Sequence, residues 1–276
     1  PESLKKAYNI KEIIREIADE HDFLEVQELY ATNIVIGFIR LNGKSVGVVA
    51  NQPSMLAGCI EINASDKAAR FIRTCDCFNI PLLSIVDVPG YLPGIKQELG
   101  GIIRHGAKML YAWSEATVPK IVMAVGKVVG GARPAMCSWE LHPDFIFAWP
   151  TAQMTVVGPE SAVDICCKSE LKRAEENVED TAALRTQLIE DNTKEYMNPY
   201  KAAECGKFED IIEPAQSRQV IIRTLEMFRN KKVVLPSRKH GNIPLWQQFH
   251  REKTKSIRNH KGDLPCRIQL IMQEDR

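Results

Sequence analysis

An α/β fold, with repeated ββα units giving a largely parallel sheet flanked by helices, is what this sequence predicts, on three observations. Apolar runs at residues 81–86, 121–125 and 145–149 lack polar alternation, as strands buried on both faces require. Between them lie stretches with apolar residues at three-to-four spacing, the pattern of crossover helices. Ahead of them come short β-rich runs broken by turn signals, which suits an antiparallel entry to the sheet.

The elements follow in order. Residues 9–21 read as an amphipathic helix with Ile10, Ile13, Ile14 and Ile17 on one face. Strands are expected at 25–29, 34–40 and 45–50, the last two joined through Asn42-Gly43, a pair suited to a tight hairpin. Ser65 and Asp66 are read as the start of a helix whose buried stripe is Ala68, Ile72, Cys75 and Phe78 or Asn79. Strand 81–86 then opens into Asp87-Val88-Pro89-Gly90-Tyr91-Leu92-Pro93-Gly94, where two prolines fix φ and two glycines free it. A glycine-led helix from Gly100-Gly101 carries Ile103, Gly106, Leu110 and Trp113 on one face. Strand 121–125, the Gly130-Gly131 turn, a short helix and strand 145–149 repeat the same grammar. Dense charge at 160–196 reads as one or two exposed helices. Asn198-Pro199 begins another helix, 208–212 is a short edge strand, and 214–229 is a helix with Ile221, Leu225 and Phe228 inward. Residues 1–245 thus form one domain, and 246–276 a basic tail to which the sequence assigns no structure.

Composition excludes several function classes. The 276 residues carry 36 basic and 35 acidic side chains, a net charge of +1, so no global field recruits nucleic acid or an anionic membrane. Neither a spanning apolar segment nor a signal-peptide pattern is present. Eight cysteines occur without any Cys-x-x-Cys pair, which points to free thiols in a reducing compartment and to no metal. The expected location is the cytoplasm, or the mitochondrial matrix of a eukaryotic cell.

Several stretches, in this order, carry a family resemblance. They are Val46-Gly47-Val48-Val49-Ala50-Asn51-Gln52-Pro53, Asp66-Lys67-Ala68-Ala69-Arg70-Phe71, Phe78-Asn79-Ile80-Pro81-Leu82, the Asp87-to-Gly94 loop, Gly100 to Lys108, Glu115-Ala116-Thr117-Val118-Pro119-Lys120, Ala148-Trp149-Pro150-Thr151-Ala152 and Lys239-His240-Gly241-Asn242-Ile243-Pro244-Leu245. With Gly130-Gly131-Ala132 they resemble the C-terminal half of biotin-dependent acyl-CoA carboxyltransferase subunits of the propionyl-CoA carboxylase β, transcarboxylase and decarboxylase α type. Those proteins belong to the crotonase superfamily, so the resemblance implies a ClpP/crotonase-like fold.

The resemblance also implies a chemistry. Moving a carboxyl group between carboxybiotin and the α-carbon of an acyl-CoA builds negative charge on two oxygens, which paired backbone N–H groups can hold. The catalytic donors implied are the amides of Gly131 and Ala132, with Gly100, Gly101, Gly130, Tyr91, Arg133 and Pro134 lining the site. Taken alone, Gly130-Gly131 could equally make only a tight turn. His105 invites a general-base reading, but a wall or structural role fits the chemistry better, and Asp87 at a strand end is expected to brace its loop. Arg133-Pro134 departs from the family, whose members usually carry an aromatic residue there. Such a cation could favour a substrate with a second carboxylate, or mark a degenerate site. Lys127-Val128-Val129 also departs from the usual approach to the glycine pair.

Partners implied are an N-terminal-type carboxyltransferase half, a biotin carrier and biotin carboxylase, within a homo-oligomeric dimer or ring that covers the surface bearing Ile102, Met109 and Trp113. Two alternatives remain: a non-catalytic scaffold, and a crotonase-type hydratase, isomerase or hydrolase, which the lack of a clear glutamate pair disfavours.

Overall fold

A computed structural model describes residues 6–176, 180–234, 237 and 240–244, so the tail expected at 246–276 lies outside the described residues. The strands are β1 (Leu24–Val26), β2 (Ile34–Leu41), β3 (Lys44–Asn51), β4 (Leu82–Val88), β5 (Lys120–Val129), β6 (Phe145–Ala148), β7 (Gln153–Thr155) and β8 (Asp210–Ile211). They form one eight-stranded sheet in the order β1-β2-β3-β4-β5-β6-β8, with β7 beside the second half of β5. The β1/β2 and β2/β3 pairs are antiparallel and all others parallel, as the switch in sequence pattern predicts. At the hairpin Asn42 and Gly43 both take positive φ, 53° and 74°.

Helices cover both faces of the sheet. On one lie α2 (Ile62–Cys77), α4 (Ile102–Glu115) and the single turn α5 (Ala132–Ala135), burying Ile72, Met109, Trp113 and Met136 against Val86, Val122 and Val128. On the other lie α1 (Ile10–Ile17) and α10 (Ser217–Met227), burying Ile14 and Ile221 with Ile85, Met123 and Phe147. Asn9 caps α1 by accepting the Lys11 N–H at 3.1 Å. The remaining helices are α3 (Ile95–Gly100), α6 (Pro159–Cys166), α7 (Lys168–Glu176), α8 (Thr181–Tyr196) and α9 (Pro199–Glu204).

Several expectations are corrected. The first strand stops at Val26 because Gln27 turns to φ 54°, leaving Leu29 94% exposed. Helix α2 starts three residues before Ser65: the Glu61 carboxylate accepts the N–H groups of Asn63 and Ala64 at 2.9 and 2.8 Å, an acidic cap upstream of the expected one. Its C-cap residue, Phe78, is 70% exposed instead of buried. In α4 the buried face is Ile102, His105, Gly106, Met109, Ala112 and Trp113, and Ile103 is 81% exposed. Two isoleucines in succession left the phase of that helix open, and contacts from Asp66 and Tyr91 settle it. Ile102, Met109 and Trp113 therefore belong to the core and are no surface awaiting a partner. Helix α3 and strand β7 went unforeseen because they span six and three residues, too short for a period to emerge. The charged region holds α6, α7 and α8 where one or two helices were expected.

Candidate functional site

Buried polar groups gather at the carboxyl ends of β3, β4 and β5. Asp87 is buried, accepting the Tyr8 hydroxyl at 2.8 Å on Oδ2 and the Lys127 N–H at 2.9 Å on Oδ1, while its own N–H donates to Asn51 at 3.3 Å. Burial lifts the Asp87 carboxyl above the usual range and, with that carboxylate beside it, lifts the Tyr8 hydroxyl as well. A Cβ at Gly126 would lie 2.5 Å from the Asp87 carboxyl carbon, so glycine is what admits the side chain. Asp87 thus ties Tyr8, just ahead of α1, and β5 to the end of β4, and its carboxyl braces these segments where its own loop was expected. A cavity of about 730 Å³ opens beside it, lined by Tyr8, Ile13, Pro53, Lys127, Trp149 and Pro214. Because Val125 packs in the core beneath α1 and α10, this cavity lies on that face of the sheet, whereas Ala132 and Met136 pack on the α2/α4 face.

The Gly130 turn joins the end of β5 to α5. Gly130 takes φ +63° and its N–H donates to Thr155 at 3.1 Å, anchoring the end of β5 on β7. Its carbonyl accepts the Arg133 N–H at 3.3 Å, which closes α5. Among the described residues neither the Gly131 nor the Ala132 N–H has an acceptor, and α5 has no side-chain cap. Gly131 is exposed, and a Cβ there would meet nothing within 4 Å, so open space stands in front of the turn. Ala132 beneath it is fully buried. Pro134 stands in the first turn of α5, where its missing N–H costs little.

Arg133 does not reach into open space. It is 9% exposed, its Nη2 donates to the Glu140 carboxylate, and its guanidinium lies 3.9 Å from the centroid of the Trp139 ring. The Lys207 ammonium lies 4.1 Å from the same centroid. The cation expected to await a substrate carboxylate already has a carboxylate. Trp139, Glu140 and Lys207 were missed in the sequence, where they are separated from Arg133 by up to four helices and two strands and belong to no motif.

Gly100 and Gly101 stand apart from that turn, at the corner between α3 and α4. Gly101 takes φ +88°, ending α3 and capping α4. Its N–H donates to the Glu98 carbonyl at 3.1 Å, so the helix before it uses the donor. One turn on, buried His105 contacts Asp66 through Nδ1 at 2.8 Å, and Lys108 reaches the other Asp66 oxygen at 2.8 Å. Since Asp66 accepts, we assign the proton to Nδ1, which leaves His105 Nε2 buried without a partner. Tyr91 packs over Gly106, where a Cβ would lie 2.6 Å from its hydroxyl. That hydroxyl is buried and unpartnered, and burial pushes its pKa up to about 12. The contact of α4 with α5, including Trp113 Nε1 donating to Ala135 at 2.9 Å, joins the two glycine corners through one core. Among the described residues no group of three His, Cys, Asp or Glu side chains could hold a metal, and no helix is long and apolar enough to cross a membrane.

Comparison with known proteins shows the family. A family model described as "Carboxyl transferase domain" matches residues 1–243. The methylmalonyl-CoA decarboxylase α subunit of Propionigenium modestum is 53% identical over 245 residues, 89% of this chain and 47% of that protein. The methylmalonyl-CoA carboxyltransferase 12S subunit of Propionibacterium freudenreichii subsp. shermanii is 51% identical over 240 residues, 87% of this chain and 45% of that one. A crystal structure of the transcarboxylase 12S hexamer, with methylmalonyl-CoA and methylmalonic acid bound, superposes with a TM-score of 0.85 at 50% identity, covering 88% of this chain and 46% of that one. The chain thus spans about half the length of the curated relatives it matches.

Proposed function

The chain belongs to the carboxyl transferase domain family, and from that premise we propose that it forms the half of a carboxyltransferase that moves a carboxyl group between carboxybiotin and the α-carbon of an acyl-CoA. The observation that carries this reading is the pair of acceptor-less amides at Gly131 and Ala132, at a turn whose Gly131 is exposed. Carboxybiotin, held on a carrier, would supply the carboxyl group. The two amides would hold the negative charge that gathers on its ureido oxygen, fixed in advance by α5 so that no reorganisation is needed during the reaction. Tyr91, Gly100, Gly101, Gly130 and Pro134 would shape the surroundings. Arg133-Pro134 favours the scaffold alternative, but neither residue takes up the Gly131 or Ala132 N–H, and we keep the catalytic reading.

An N-terminal-type half, a biotin carrier and biotin carboxylase are the partners we infer, in a homo-oligomer. The exposed apolar residues Ile95, Leu99 and Ile103, four residues apart along α3 and α4, give such an assembly a surface to cover. The seven described cysteines are all unbridged, which supports a reducing compartment, the cytoplasm or a mitochondrial matrix.

Ala132→Pro tests the reading, because it deletes one donor at a position whose N–H bonds nothing. With the N-terminal-type half present, carboxyl exchange between biotin and acyl-CoA should fall by about 10²–10³, with little movement of the unfolding midpoint. Undiminished exchange in a folded variant would sink the assignment.

A further inference from the structure

Resting on that reading, we propose that Arg133 is a positioning residue: clamped between Trp139 and Glu140, it fixes the orientation of α5, and with it the Gly131 and Ala132 amides, and it binds no substrate carboxylate. A helix of four residues cannot hold itself together, since a single turn fixes more dihedrals than its hydrogen bonds repay. Its orientation must come from outside. The C-terminal end is pinned from the core, by Trp113 Nε1 on the Ala135 carbonyl at 2.9 Å and Ser84 Oγ on the Met136 carbonyl at 2.7 Å. The N-terminal end, which carries the two amides, has no side-chain cap and follows a glycine at φ +63°.

Arg133 is the side chain nearest that end with a grip on another element. Its guanidinium stacks on Trp139 and donates to Glu140, a pairing of planar cation, ring and carboxylate that a flexible ammonium reproduces only in part. Lys207 lies as close to the same ring. Two cations about 4 Å from one centroid repel each other least on opposite faces, so the indole is held between α5 and the segment that joins α9 to β8. The guanidinium is therefore already engaged. Glu140 neutralises it and Trp139 covers it, while its Nε is buried without an acceptor. A substrate carboxylate would have to share the guanidinium with Glu140.

The test uses the full-length enzyme assembled with its N-terminal-type half. Arg133→Met should lower kcat for carboxyl exchange tenfold or more, leave KM for acyl-CoA within twofold, and do so equally for propionyl-CoA and for a thioester that bears a carboxylate on its acyl chain. Amide hydrogen exchange over residues 130–137 should quicken several-fold, and Arg133→Lys should restore both in part. A loss confined to the dicarboxylic thioester, or a raised KM at unchanged kcat, would make Arg133 a substrate-binding residue and overturn the proposal. Unchanged hydrogen exchange over 130–137 in Arg133→Met would also overturn it, and that readout decides even if the wild type shows no carboxyl exchange, an outcome that would instead remove the proposed function. Should Arg133→Met fail to fold, Glu140→Gln, which keeps the volume and removes the charge, must give the same pair of signatures or the clamp is refuted.

Discussion

Asp87 shows how one buried carboxyl can organise the ends of three elements. With its pKa raised by burial, the folded chain holds this proton more tightly than the unfolded chain does. Its contribution to stability is therefore complete below the ordinary carboxylate pKa of about 4 and is lost as pH rises through the elevated value. Asp87→Asn keeps the shape and can still accept the Lys127 N–H, so the stability of the wild type relative to this variant should decline as pH rises from about 4. Parallel pH profiles from denaturant titration would contradict that. Gly126→Ala probes the same contact sterically. The added methyl would press on a carboxyl pinned by Tyr8 and Lys127, and overpacking of this kind costs about 1–3 kcal/mol. A midpoint equal to that of the wild type would show that Asp87 can move aside.

At the scale of elements, α4 separates what the sequence reveals from what it withholds. Met109→Ala should cost about 2–5 kcal/mol, because the side chain is fully buried between α2 and the sheet, whereas Ile103→Ala should change stability by less than about 0.5 kcal/mol. Equal losses in urea titrations would mean that the helix is rotated from the phase described. The existence of that helix was legible in its spacing; its phase was not, since Asp66 and Tyr91, which set it, come from elsewhere in the chain. The same division holds at the site. Gly130, Gly131 and Ala132 were readable as a turn because φ > 0 and bare amides demand small residues at fixed offsets. The Arg133 clamp was not, because stacking on Trp139 and Lys207 is a product of folding and leaves no spacing rule behind. Fully buried β4 and β5 announced themselves by composition, while β7, three residues long, exists only because the second half of β5 offers it a partner.

On the scale of the whole molecule, one face of the sheet is covered by helices from opposite ends of the described chain. Arg218 at the start of α10 donates to the Ile17 carbonyl at 2.5 Å and to the Asp19 carboxylate, contacts that span 201 and 199 positions. On the ribosome, α1 is therefore made well before its neighbour. At about 5–20 residues per second, about 4–14 s pass between the making of Phe147 and that of Ser217, and through that interval Ile85, Met123 and Phe147 have only α1 to cover them. Nascent chains arrested just before Ser217 should be cut readily by protease and should recruit a chaperone that binds exposed apolar surface. Chains arrested once Met227 has cleared the exit tunnel should resist cleavage and let the chaperone go. Protection already in place before Ser217 would show that the rest of the fold stands without its closing helix. If the interval is real, the order of synthesis leaves this face of the sheet to the cell's holding machinery until its closing helix arrives.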